Sequence, residues 1–248
     1  MEWIDGTVVV LVGAIRAGTP LVFAAIGELV TERSGVLNLG VEGMMLVGAV
    51  TGFIVTVITG DAYLGVLAAM LAGVALSLVF GFLTLFLMTN QVATGLALTI
   101  FGVGFSAFIG VDYIGTPIKG IRPFDLPWLA EIPVLGPLLF SHDLLIYASV
   151  ALIAGVVYFL FKTRAGLILR AVGESHDAAH AIGYRVVAIR MGAVMFGGAC
   201  SGLAGAYLAL VYAPPWVEGM TAGRGWISLA LVVFATWRPA RVMIGAYL

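Results

Sequence analysis

A single cysteine, Cys200, is the only thiol in the 248 residues, so no disulfide can form within the chain. Charge is nearly as scarce, with 12 Lys and Arg against 13 Asp and Glu, 10% of the residues in all. The resulting net charge of −1 has no basic excess and so carries no nucleic-acid signal, and no nucleic-acid partner is expected. Three histidines are present: His142, His176 and His180. The last two stand four apart without a third ligand, so they read as a solvated helix face or a bare metal pair, and no metal or other cofactor is expected. Lys119 follows Ile118 and Lys162 follows Phe161, so no phosphate loop of the G-x-x-x-x-G-K-[ST] type exists. G-x-S-x-G and H-E-x-x-H are missing too, and with them the usual hydrolytic centres. Met1 is followed by Glu2 and Asp5 and not by a basic stretch, so the first apolar segment is expected to stay as a span.

What is there is apolar surface. At 62% hydrophobic residues and a mean hydropathy of +1.13, the chain lies far outside the soluble globular range. It is expected to be a single all-α transmembrane domain over residues 1–248, a polytopic helical bundle of about 7–8 spans with at least one broken helix. Residues 6 to 27 suffice for one crossing, although Arg16 and Pro20 interrupt them. Arg16 is either a pathway residue or an arginine that snorkels or faces another subunit. Residues 28 to 43 crowd Glu28, Glu32, Arg33, Asn38 and Glu42 between two spans, either as an ordinary loop or as a broken helix inside the bundle. From Ala62 to Val111 no residue is charged, which leaves room for two spans turning at Thr89, Asn90, Gln91 and Thr94. Gly73, Ser77 and Gly81, and later Gly198, Gly202 and Ala206, repeat every four residues and mark helix packing faces. Residues 112 to 143, rich in proline and acids and including Asp125, Trp128 and Glu131, read as an outer loop.

Orientation comes from residues 161 to 190, which carry Lys162, Arg164, Arg170, Arg185 and Arg190 between two uncharged segments. Short basic loops stay on the cytoplasmic side, so segment 162–190 is read as cytoplasmic. Counting spans from there puts residues 28 to 42 and 88 to 91 inside with Arg238 and Arg241, and the N-terminus outside. The middle of the loop, opened by Gly173 and closed by Gly183, reads as a short polar helix beneath the membrane. The closing VMIGAYL stops in mid-helix, so at least one further span is expected beyond it. Polar side chains at or near membrane depth are Asn38, Glu42, Asn90, Gln91 and Thr94, with Thr99 and Ser106 deeper. Amides and hydroxyls that both donate and accept suit a neutral, hydroxylated or heterocyclic solute, or serve as interhelical hydrogen bonds.

Five blocks in this order carry a family resemblance: TERSGVLNLGVEGMMLVGA (31–49), NQVATGLALTIFGVG (90–104), GLILRAVGESHDAAHAIGYRVVAIRM (166–191), GGACSGLAGAYLAL (197–210) and GRGWISLALVVFATWRP (223–239). The chain resembles the permease subunits of bacterial ABC importers for simple sugars, branched-chain amino acids and nucleosides, most nearly the nucleoside or purine branch. The resemblance implies a multi-pass protein of the cytoplasmic membrane that is no enzyme. Its partners would be ATP-binding subunits, a second permease (the same chain or a sister) and an extracytoplasmic solute-binding protein. Arg170, Gly173, Glu174, Asp177, Ala178 and Gly183 would then lie against an ATPase. Glu174 and Asp177, three apart, would share one helix face. Segment 31–43 would be an interrupted helix lining the path, as Gly35, Gly40 and Gly43 and the rule for broken helices in transporters suggest.

Two other classes compete. An ion-gradient transporter needs a mid-membrane carboxylate, for which Glu28, Glu32 and Glu42 are the candidates. An intramembrane enzyme needs a reactive cluster, and the sequence holds none.

Overall fold

The computed structural model describes residues 2–124 and 135–248 of the chain. Asp125, Trp128 and Glu131 of the expected outer loop therefore lie outside the described residues. The elements, all helical, are α1 (Glu2–Arg33), α2 (Val41–Thr59), α3 (Ala62–Gly81), α4 (Gln91–Gly110), α5 (Leu135–Leu139), α6 (Leu144–Lys162), α7 (Arg164–Glu174), α8 (His176–Ala181), α9 (Val186–Tyr207), α10 (Arg224–Phe234) and α11 (Pro239–Tyr247). Wider π-helical turns extend α3 through Phe82–Phe86 and α9 through Leu208–Tyr212.

Six helices, α1, α2, α3, α4, α6 and α9, are long and apolar enough to cross a bilayer. The remaining crossings are composite. Residues 213 to 223 run back from the far end as irregular chain, with Trp216 fully buried, and α10 completes the path in 11 residues. Eleven residues rise about 16 Å, half of a hydrocarbon core roughly 30 Å thick. The expected span over 226–236 is thus a half-helix, and the six long helices come near the expected 7–8.

Of the two readings of residues 28 to 43, loop or broken helix, the second holds. Helix continues past residue 27 to Arg33, so Glu28 and Glu32 lie on a helix and not in a loop. Pro20 sits inside it and removes one intrahelical hydrogen bond. Side-chain caps set the other boundaries. Asp61 accepts from the Tyr63 and Leu64 amides, Asn90 from Ala93, Asp143 from Leu145 and Ile146, Thr163 from Gly166 and Ser175 from Ala178.

α9 is the hub. Lipid gives helices no hydrophobic reason to associate, so close backbone approach must supply the attraction. Gly48 of α2 lies so near Gly202 that an added Cβ would sit 2.6 Å from its Cα. Gly73 of α3 abuts the Gly198 carbonyl, Gly205 abuts that of Met45, and Gly27 of α1 abuts Cys200. The two four-residue repeats read from the sequence are therefore the two halves of one interface, and Cys200 is a small buried packing residue within it.

Replacing Gly202 with Leu should cost more than the roughly 1–3 kcal/mol usual for overpacking, because the new side chain would meet the Ala69 backbone. Size-exclusion chromatography of the detergent-extracted protein should show aggregation for this variant. Gly13→Leu, where an added Cβ meets nothing within 4 Å, should elute like the parent; equal behaviour of the two would contradict the hub.

Candidate functional site

Between α1 and α2 the chain leaves helix for seven residues, Ser34 to Gly40. Backbone polar groups outside helix need partners, and several are found here. The amides of Ser34 and Val36 donate to the Thr31 carbonyl, and that of Gly35 donates to the Glu32 carbonyl. Leu37 N donates to Gln91 Oε1 at 2.8 Å, Asn38 N to Glu28 Oε1 at 2.8 Å and Gly40 N to Asn38 Oδ1 at 2.9 Å. On the acceptor side, Arg190 Nε donates to the Ser34 carbonyl at 3.0 Å and Thr99 Oγ1 to the Leu39 carbonyl at 3.0 Å. Gly35 makes the turn at φ 83°, a conformation that favours glycine.

The break delivers Glu42 to the first turn of α2, where a negative side chain suits the helix dipole. A second helix start meets it there. Glu42 Oε1 accepts from Thr221 Oγ1 at 2.5 Å and from Gly223 N at 2.9 Å, and Oε2 accepts from Gly225 N at 2.6 Å. Gly223 is the N-cap of α10, at φ 83°. One carboxylate, 6% exposed and standing in the first turn of α2, thus holds the start of α10, with Gly223 181 residues away in sequence. Arg224 steadies the approach, donating to the Met220 and Thr221 carbonyls and lying 5.6 Å from the Tyr212 ring centroid. The joint is at mid-depth, since neighbouring Gly43 packs on Leu98, Thr99 and Gly102 halfway along α4.

α10 descends from this joint to the end that carries the basic residues. There Trp237 Nε1 donates to Glu32 Oε2, and Arg33 donates to the Trp237 carbonyl at 3.0 Å. A cavity of about 210 Å³ opens among Glu32, Val36, Leu37, Gln91 and Trp237. α7 seats beside it, with Gly173 against the Arg33 carbonyl and Gly35 so closely that no Cβ fits.

The expected path residues thus fall into two groups. Asn38 and Glu42 are buried and committed to backbone amides. Asn90 caps α4, Gln91 lines the cavity, and Thr94 shares a 2.9 Å hydrogen bond with Thr89. Of the expected coupling residues, Arg170 lies over the Phe161 ring at 5.1 Å, Gly173 is the seat, and Glu174, Asp177, Ala178 and Gly183 are exposed. The single helix expected between Gly173 and Gly183 is instead two. Ser175 is extended (φ −151°, ψ 103°) and caps α8, so Glu174 ends one helix, Asp177 begins another, and they do not share a helix face. Thr221, Gly223, Gly225, Arg190 and Trp237 are not among the site residues the sequence points to, and Glu28 enters there only as a candidate carboxylate of an ion-gradient transporter. A glycine-rich turn before an apolar segment too short to span was the available signal for the first three.

The model of the family described as "Branched-chain amino acid transport system / permease component" matches residues 10–248. The chain belongs to this permease family. A putative glucose ABC transporter permease protein, TsgC13 of Haloferax volcanii, is 43% identical over 94% of this chain and 72% of its own length. The nucleoside ABC transporter permease protein NupC of Lactococcus lactis is 31% identical over 100% and 82%. The guanosine ABC transporter permease protein NupQ of Bacillus subtilis is 33% identical over 89% and 73%. No solved structure matches. The permease is thus a multi-pass membrane component of an ABC transporter and not an enzyme, which sets aside the ion-gradient alternative.

Glu42→Ala would leave one hydroxyl and two amides without an acceptor, at roughly 1–3 kcal/mol for each buried donor. Thermal unfolding of the purified permease should shift down by several degrees, and Glu42→Gln, which keeps one acceptor oxygen, should fall between. An unchanged transition for Glu42→Ala would contradict the joint.

Proposed function

We propose that the permease imports a neutral, hydroxylated or heterocyclic solute of the sugar or nucleoside class. A second permease, two ATP-binding subunits on the basic side and a solute-binding protein on the other complete the assembly. The basic end is the cytoplasmic one: Arg33, Arg190 and Arg238 gather there with the 162–190 segment, as the positive-inside rule requires. Names of the relatives support the substrate class, and so does the chemistry of the joint. Helix N-termini at mid-membrane attract anionic groups, and transporters with broken helices use them for substrate carboxylates. Here Glu42 already occupies the start of α10 and puts its negative charge in the first turn of α2. A solute passing this level meets amides and hydroxyls and no unsatisfied positive end.

The observation that carries the coupling role is the seat of Gly173 on Arg33 and Gly35. ATP-driven closure of the ATPase pair would press on the exposed Glu174, Asp177, Ala178 and Gly183, with Arg170 anchoring α7 on Phe161. The push enters the interrupted segment at Gly35 and travels through Asn38 to Glu42 and α10. Two rigid elements joined by a short irregular segment allow the bundle to alternate between outward and inward access. Asn90, Gln91 and Thr94 line the inner mouth of the path, while Asn38 and Glu42 form its wall.

Glu174→Arg with Asp177→Arg should abolish co-purification with the ATPase and leave membrane insertion intact. Gly173→Leu should keep the ATPase bound yet lower solute moved per ATP hydrolysed. Gln91→Leu should slow uptake about fivefold, the worth of one ordinary hydrogen bond. Normal co-purification of the double variant would overturn the coupling assignment.

A further inference from the structure

α6 ends at the basic loop and α9 starts from it, and a groove of about 690 Å³ lies between them. Val30 of α1 forms its floor and Leu169 of α7 closes its basic end, while Phe159 and Phe196 stand on the two walls. Glycine keeps it open: an added Cβ at Gly155 or Gly192 would meet nothing within 4 Å. Among the described residues, Tyr184 is the one lining side chain with a polar atom. A water in such a space would lack the two to four polar partners it needs, so an apolar occupant is required.

The rim of the groove has the opposite character. Ala165 in the lining is preceded by Arg164, Tyr184 is followed by Arg185, and Lys162 ends α6 two residues before Arg164. Among the described residues none of these three cations has an ion pair or side-chain hydrogen bond. A second hollow of about 520 Å³, lined by Arg185, His180 and Met191, adjoins the same corner of α9. An apolar slot open to the membrane and rimmed by unpaired cations matches a molecule with a long hydrocarbon chain and an anionic head. Basic pockets between transmembrane helices on the cytoplasmic side bind such headgroups.

We propose that this groove is a binding site for one anionic phospholipid, with an acyl chain between α6 and α9 and its phosphate held by Lys162, Arg164 and Arg185. The acyl chain would pack on Ile168 and Leu169 of α7, so the lipid also braces the helix that carries Gly173. The site itself does not depend on the transport reading.

Delipidated permease in mild detergent, titrated with phosphatidylglycerol or phosphatidylcholine and followed by native mass spectrometry, tests this. Phosphatidylglycerol should bind at one copy per chain, roughly tenfold or more tighter than phosphatidylcholine. Lys162→Gln, Arg164→Gln and Arg185→Gln together should erase that preference. Gly155→Phe should weaken both lipids while the thermal transition stays in place, and Glu174→Arg with Asp177→Arg should leave lipid binding unchanged even if ATPase association is lost. Equal affinity for the two lipids would overturn the proposal. So would efficient disulfide formation between two copies of Gly192→Cys, since a second permease would then fill the groove.

Discussion

A bilayer interior forbids unpaired backbone, and this permease breaks helix twice inside it. The Glu42 carboxylate makes that possible, because it serves as acceptor for the start of α10 while standing in the first turn of α2. Glu28 and Gln91 do the same for the segment between α1 and α2, each receiving one amide. Polar side chains that look like a solute path in the sequence are, in large part, substitutes for the hydrogen bonds that a continuous helix would have made. Asn38 shows the logic in miniature: its amide is held by Glu28 and its own side chain holds Gly40.

Around this irregular centre the packing is uncompromising. α9 meets α1, α2 and α3 through glycine at nearly backbone distance, so those four helices form a block with little freedom to deform. Freedom lies instead in α7, α8, α10 and α11, which are short and joined by turns. Gly173 touches the rigid block at Arg33 and Gly35, and from there the hydrogen bonds of the 34–40 segment lead to the joint. A displacement of α7 therefore has a continuous physical route to mid-membrane.

Much of this was legible in the sequence. Hydropathy and charge placement set the bundle and its basic end, and Gly73, Ser77, Gly198 and Gly202 announced the packing faces. Gly35 and Gly40 marked the break. What stayed hidden depended on long-range pairing. Helix length beyond residue 27 was obscured because Glu28 and Glu32 look like loop residues until the Asn38 amide and the Trp237 indole are seen to donate to them. The 226–236 segment looked like a span because apolarity does not reveal where a crossing stops being helical. Periodicity likewise joined Glu174 to Asp177, and the Ser175 cap separates them.

Hydrogen–deuterium exchange over residues 221 to 226 reads the joint directly. The amides of Gly223 and Gly225 should exchange as slowly as those in the buried part of α2, and this protection should vanish in Glu42→Ala while α9 stays protected. Rapid exchange of both glycines in the parent protein would mean that the carboxylate does not hold the two interrupted helices together.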